Sequence, residues 1–123
     1  MFKSQVSSST AHTDTTEKLI DTLTVPDGVT KIVGVQCHAL GGAGITTLEN
    51  TTGKFRLRNK SRGDEYEFLI RGLAVLTSGV GIIDPPVDPC DIPVSPTNQL
   101  EGYVTMDLAQ TVGNTCRFRL IYA

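Results

Sequence analysis

The chain has 123 residues, of which 39% are hydrophobic and 20% charged, and its formal net charge is −2. This length fits one domain better than two, and such a domain buries enough surface to fold without disulfides or metal. The near-zero charge gives no argument for a nucleic-acid or anionic-membrane partner, and no apolar stretch approaches the roughly 20 residues of a transmembrane helix.

Met1 to Thr16 is polar and lacks the apolar run of a signal peptide. The chain is therefore expected to stay in the compartment where it is made. Residues 1–16 are expected to form an extended N-terminal arm on a β-sandwich domain of residues 17–123. Leu19 to Val25 reads as a strand, and Pro26-Asp27-Gly28 as a turn. Val29 to Leu40 follows, with Val29, Val33, Val35, Cys37 and Ala39 on one face. Gly41-Gly42-Ala43-Gly44 breaks it, and Ile45 to Glu49 is a short strand before the turn at residues 50–53.

Lys54 to Arg71 reads as a hairpin. Phe55 and Leu57 alternate with Arg56 and Arg58, and the pattern resumes after Ser61-Arg62-Gly63-Asp64 with Tyr66, Phe68 and Ile70. A four-residue loop at 61–64 sets Lys60 opposite Glu65, Arg58 opposite Glu67, Leu57 opposite Phe68 and Phe55 opposite Ile70. Leu73 to Ile83 is an apolar run expected as a strand buried on both faces. Residues 84–96 carry five prolines and are expected to form a polyproline-like loop. A closing hairpin is expected, with Met106 opposite Phe118, Asp107 opposite Arg117 and Ala109 opposite Thr115.

Helical periodicity is absent. About eight strands separated by turn residues suit a single-domain jelly roll or another Greek-key β-sandwich.

Several clusters invite chemistry. Arg62-Gly63-Asp64 on a hairpin tip is a candidate exposed receptor motif, although glycine and aspartate are also what a tight turn needs. Asp84, Asp88 and Asp91 could offer oxygens to a hard cation, but their spacing matches no known metal loop. Lys54, Arg56, Arg58 and Lys60 could track phosphates. Glu65 and Glu67 are expected to neutralise part of that row, and no aromatic platform is evident beside it. His12 and His38 have no ligand pattern around them. Gly41 to Gly44 lacks the lysine and helix of a phosphate cradle. No nucleophile elbow, metalloprotease motif or P-loop occurs. The expectation is a protein that is not an enzyme, with no catalytic, metal or cofactor-binding residues. Cys37, Cys90 and Cys116 form no C-x-x-C pair and read as reduced thiols, with a Cys37–Cys116 bridge as the alternative.

The string LTVPDGVTKIVGVQCHAL (23–40) and the ending GYVTMDL…CRFRLIYA resemble strands of small jelly-roll virion proteins, of the phage and archaeal-virus capsid or decoration type. The resemblance implies a structural subunit of a virion, made in the host cytoplasm and held by sandwich packing and arm exchange. Its implied partners are further copies of itself and other capsid proteins. It implies no small-molecule substrate. The candidate subunit contacts are Phe2, Lys3 and Val6 in the arm and Pro85, Pro86, Val87, Pro89, Ile92 and Pro93 in the proline segment. The alternative is a carbohydrate- or receptor-binding β-sandwich module, against which the absence of Trp weighs.

Overall fold

The computed structural model describes residues 3–11, 15–41, 53–70, 72–75, 87–107 and 115–123. Among them there are strands and no helix. In chain order the strands are β1 (Lys3–Val6), β2 (Thr10–Ala11), β3 (Lys18–Thr24), β4 (Lys31–Gly41), β5 (Gly53–Asn59), β6 (Glu65–Leu69), β7 (Gly72–Val75), β8 (Asp88–Pro93), β9 (Gln99–Met106) and β10 (Thr115–Tyr122). They form two sheets. In the first, here the β10 sheet, β1 and β2 lie end to end along one side of β10. β4 lies along its other side, and β8 and β7 share the far side of β4. In the second, the β9 sheet, the order is β3-β9-β5-β6. Pairing is antiparallel except between β4 and β7.

Period-two alternation builds the core. Cys116, Phe118, Leu120 and Tyr122 of β10 are buried, as are Leu100, Val104 and Met106 of β9 and Phe55 and Leu57 of β5. The sheets meet where the Phe118 ring lies over Gly102. A Cβ on Gly102 would come within 2.3 Å of that ring, so glycine lets β9 approach it. Phe118 also packs against Phe55, with ring centroids 4.9 Å apart. Burying each such ring contributes about 1.5–3 kcal/mol. The chain end is tied in, because the Ala123 N–H donates to the Lys31 carbonyl at 3.0 Å.

The expected β5–β6 hairpin forms and turns the expected side to the core, but its register differs by two residues. Phe55 faces Phe68, Leu57 faces Tyr66, Arg56 faces Glu67 and Arg58 faces Glu65. The turn decides this. Asn59 Oδ1 accepts the N–H groups of Ser61 and Arg62 at 3.1 and 3.2 Å. Gly63 closes the loop at a φ of 83°, a left-handed conformation natural to glycine. The loop thus spans residues 60–63, one residue earlier than expected.

The closing hairpin is not formed. β9 lies between β3 and β5, and β10 lies between β1 and β4. The two strands turn their apolar faces toward each other across the core, so alternation alone fits either arrangement. Around β4, Val29, Val35 and Cys37 of the expected inward set are buried, and Val33 is the correction. The pairings of β4 with β8 and β10 shift between Ile32 and Gly34. Val33 is the extra residue of this bulge, so Ile32 and Val35 both point inward.

Half of the expected proline loop is the edge strand β8. The Val94 N–H bonds the Thr30 carbonyl at 3.0 Å. Alternation then directs the donor that Pro93 lacks toward the open edge, where it costs nothing. The expected arm is likewise part of the sandwich over its described residues. Ser7, buried between β1 and β2, donates its N–H to the Phe118 carbonyl at 2.8 Å, and its hydroxyl accepts the Phe118 N–H at 2.9 Å. Pro26-Asp27-Gly28 is a turn as expected, with Gly28 at a φ of 79°. β7 begins the expected Leu73–Ile83 strand. The rest of that run and the Ile45–Glu49 strand lie outside the described residues.

Candidate functional site

The even residues of β10 face the core, so Arg117, Arg119 and Ile121 face outward. The β1 register sets Val6 beside Arg119 and Ser4 beside Ile121 on this outer face. From the other side of β10, β4 contributes Gly34 beside Ile121 and Gln36 beside Arg119. Gly34 has no side chain, and Val87 occupies the space over it. A Cβ there would lie 2.6 Å from Val87 Cγ1 and 3.2 Å from Ile121 Cδ1. Val6 on β1 and Val87 over β4 therefore share one face, with β10 and its Ile121 between them. Val6 is 46% exposed and Val87 43%. Arg119 Nη1 reaches Gln36 Oε1 at 3.5 Å.

The predicted contact residues separate accordingly. Val6, Val87 and Pro89 lie on this outer face, and Pro93 is exposed at the end of β8. Ile92 is a correction: it pairs with Ile32 and is buried in the core, so it is not available to a neighbour. Lys3 donates through Nζ to the Asp27 carbonyl at 2.9 Å. Phe2, Pro85 and Pro86 lie outside the described residues. Sequence reading missed Ile121 and Gly34. The alternation of β10 marks Ile121 as outward-facing, and only the three-dimensional packing shows what Gly34 accommodates.

The outer face of the β9 sheet is different. Arg56 binds both Glu17 oxygens, at 2.6 and 3.0 Å, and Glu65 at 2.7 Å. Arg58 binds Glu101 at 3.0 Å and approaches Glu65 at 3.6 Å. The expected basic row is thus neutralised at its centre, with Glu65 serving both arginines and Glu17 and Glu101 adding to it. The Arg56 hydrogen bond holds the Glu17 carboxyl below its ordinary range, and the same bond raises Arg56. An aromatic does lie on this face, contrary to expectation. The Arg56 guanidinium is 4.3 Å from the Tyr103 ring centroid, so a base has no open ring to stack on.

Arg62-Gly63-Asp64 is exposed on the β5–β6 turn, but its charges meet each other: Arg62 Nε lies 3.3 Å from Asp64 Oδ2. Arg62 Nη1 also donates to the Pro93 carbonyl at 3.2 Å, and Asn59 bonds Asn98 at 3.1 Å. These bonds tie the turn to the β8–β9 connection. There Thr97 has a φ of 72°, which is rare for a β-branched residue. Asp91 approaches Lys31 at 3.9 Å. Among the described residues, no three His, Cys, Asp or Glu side chains gather as metal ligands; Asp84 and His12 lie outside them. His38 is placed only as a strand position opposite Arg117 and Gly72. Of Gly41 to Gly44, only Gly41 is described.

The three cysteines are free thiols. Cys37 pairs in register with Phe118, and Cys116 with Ala39. Burial pushes the Cys116 thiol up to about 12 and Cys37 well above the usual thiol range. Burial, then Asp88 and Asp91, raise Cys90.

No helix among the described residues is long and apolar enough to cross a membrane. Two depressions of about 190 and 220 Å³ open near Lys54, below the ~300–1,000 Å³ of small-molecule pockets. No protein-family model, no curated protein and no solved structure matches the chain.

Proposed function

We propose that this protein is a structural subunit of a symmetric assembly, of the virion capsid or capsid-decoration type. On this reading it meets its neighbours through the outer face of the β10 sheet. The observation that carries the proposal is the convergence of Val6 and Val87 on one outer face around Ile121. Exposed apolar groups gathered on a face mark interaction sites more often than the same groups scattered singly. The opposite face has its central charges paired with one another, and its exposed apolar groups, Leu19 and Leu69, lie apart on its two edge strands.

The order of strands supports a jelly roll. Successive strands alternate between sheets: β2 to β3, β3 to β4, β4 to β5, β6 to β7, β8 to β9 and β9 to β10 each cross. The resulting orders, β1/β2-β10-β4-β7/β8 and β3-β9-β5-β6, support a reading as two interlocked Greek keys. Fold alone does not assign function, so the argument rests on the face. Modest contacts repeated by symmetry add up to a stable shell.

The test is the mass of the purified protein in solution, beside a Val6→Asp/Val87→Asp variant. The wild type should run as a large species and the variant as a folded monomer. A wild type that is monomeric up to millimolar concentration would end the proposal.

A further inference from the structure

The four sheet edges are not equally protected. On β3 the arm covers the edge: Gln5 Nε2 donates to the Thr24 carbonyl at 3.0 Å, Thr10 Oγ1 donates to the Ile20 carbonyl at 2.8 Å, and Asp21 accepts the Ser8 N–H at 2.9 Å. β8 carries Pro89 and Pro93, which offer no N–H. β1 is four residues long and carries Lys3. Short length, lysine and proline all discourage strand addition. β6 carries neither proline nor lysine, and among the described residues it pairs with β5 alone.

The hydrogen-bond phase of β6 is fixed at both ends. The Asn59 N–H donates to the Asp64 carbonyl and the Ile70 N–H to the Gly53 carbonyl, both at 2.8 Å. Antiparallel alternation then points the backbones of Tyr66 and Phe68 at β5, and those of Glu65, Glu67 and Leu69 at the open edge. The side chains beside that edge are selective. Glu65 is held by Arg56 and Arg58. Glu67 makes no ion pair among the described residues. Leu69 is 64% exposed, the highest of the large hydrophobics described. Next to it the depression of about 190 Å³ is lined, among the described residues, by Lys54, Glu67, Phe68 and Leu69. That volume suits one side chain rather than a whole small-molecule ligand.

From this geometry we propose that β6 is a docking edge for an extended segment of another protein, added to the β9 sheet as a further strand. The segment carries Lys or Arg opposite Glu67 and apolar residues on the alternate side, toward Tyr66 and Phe68. Charge selects this partner over a second copy of the chain. Antiparallel self-pairing of β6 centred on Glu67 sets Glu67 against Glu67 of the second copy, centring on Tyr66 sets Glu65 against Glu67, and centring on Phe68 sets Glu67 against Leu69, so no register within β6 brings a basic residue to Glu67. Like charges directly opposed destabilise a pair, whereas a basic residue there stabilises it.

The test uses the full chain and a fluorescein-labelled, end-blocked octapeptide of alternating valine and lysine. Fluorescence anisotropy reads affinity, and hydrogen exchange read by mass spectrometry reads location, both in monomers and in large assemblies. The peptide should bind and slow exchange at residues 65–69. Glu67→Pro removes an N–H that points at the edge and leaves the β5 ladder intact, so it should weaken binding about tenfold or more. Glu67→Lys, which leaves every backbone donor in place, should prefer an alternating valine–glutamate peptide. The proposal is overturned if Glu67→Pro binds as well as the wild type, or if both peptides bind the wild type equally. It is also overturned if residues 65–69 become protected as protein concentration rises without peptide, since the occupant is then a second copy.

Discussion

On the β9 sheet, Arg56 and Arg58 share Glu17, Glu65 and Glu101 between them. On the opposite face of the sandwich, Val6 lies beside Arg119, whose described side-chain bond is to a glutamine, and Val87 lies beside Ile121. The two faces solve the exposure of a sheet in different ways. Paired charges on one are already satisfied in the monomer, and a docking partner would have to break or desolvate them. Apolar groups on the other gain by being covered. The described residues thus hold one face whose centre is suited to solvent, with Leu19 and Leu69 exposed only on its edge strands, and one face suited to contact.

Substitutions can break this contrast, and their expected effects descend in order. Gly34→Val should do most. Its side chain must displace Val87 and Ile121, which a Cβ alone would already approach at 2.6 and 3.2 Å. Overpacking of this kind costs about 1–3 kcal/mol, read as a lower urea midpoint, and it should reshape the contact face as well. Arg56→Ala should cost about 1 kcal/mol, since exposed ion pairs contribute little singly but this one is bidentate and stacked on Tyr103. It should leave the oligomeric mass unchanged. An altered mass would show that the charged face also takes part in contacts.

Glu17→Gln should do less, a few tenths of a kcal/mol, because Glu17 is substantially exposed to solvent and its pairing is screened. Its sign with pH follows from the lowered carboxyl. The contribution is complete above the ordinary carboxylate range and is lost as pH falls through the folded value. Urea midpoints of wild type and Glu17→Gln should therefore differ at pH 7 and converge only as pH falls below the ordinary carboxylate range. The smallest effect concerns reactivity alone. At pH 8 an alkylating reagent should label Cys90 slowly, and Cys37 and Cys116 only on unfolding. Early labelling of Cys116 would contradict the packing beneath the apolar face.

Much of this was legible in the sequence, and the exceptions share a cause. Alternation announced strands and identified which side of β5 and β6 faces inward, because a slip of two residues keeps every side chain on its face. It could not fix the register, which Asn59 and Gly63 set through turn bonds. Nor could it distinguish a hairpin from two strands of opposite sheets. Both need the apolar face that Met106 and Phe118 supply, and the partner strand is a property of the whole topology. The bulge at Val33 exchanged inward and outward positions within one continuous apolar run. Prolines suggested a loop because a central strand cannot hold them, but β8 is an edge. The candidate contacts were partly legible for the same reason. Val6 and Val87 belong to segments far apart in the chain, and only the fold sets them on one face. Ile92, next to the exposed Asp91 in a segment read as loop, was drawn into the core by its pairing with Ile32.

These structures also change how the N-terminal segment should be probed. Deleting residues 2–14 would strip β1 and β2 from β10 and leave the Phe118 backbone without Ser7. Lost assembly in such a truncation would not separate contact from folding, whereas point changes at Val6 and Val87 alter the face and leave the ladder intact.

The most direct measurement is therefore the sedimentation mass of the wild type and of Val6→Asp/Val87→Asp across a hundredfold range of concentration. The account predicts a large wild-type species and a monomeric variant with an unchanged unfolding transition. A variant that assembles like the wild type, or a wild type that stays monomeric throughout, would contradict the claim that copies meet on the β10 sheet.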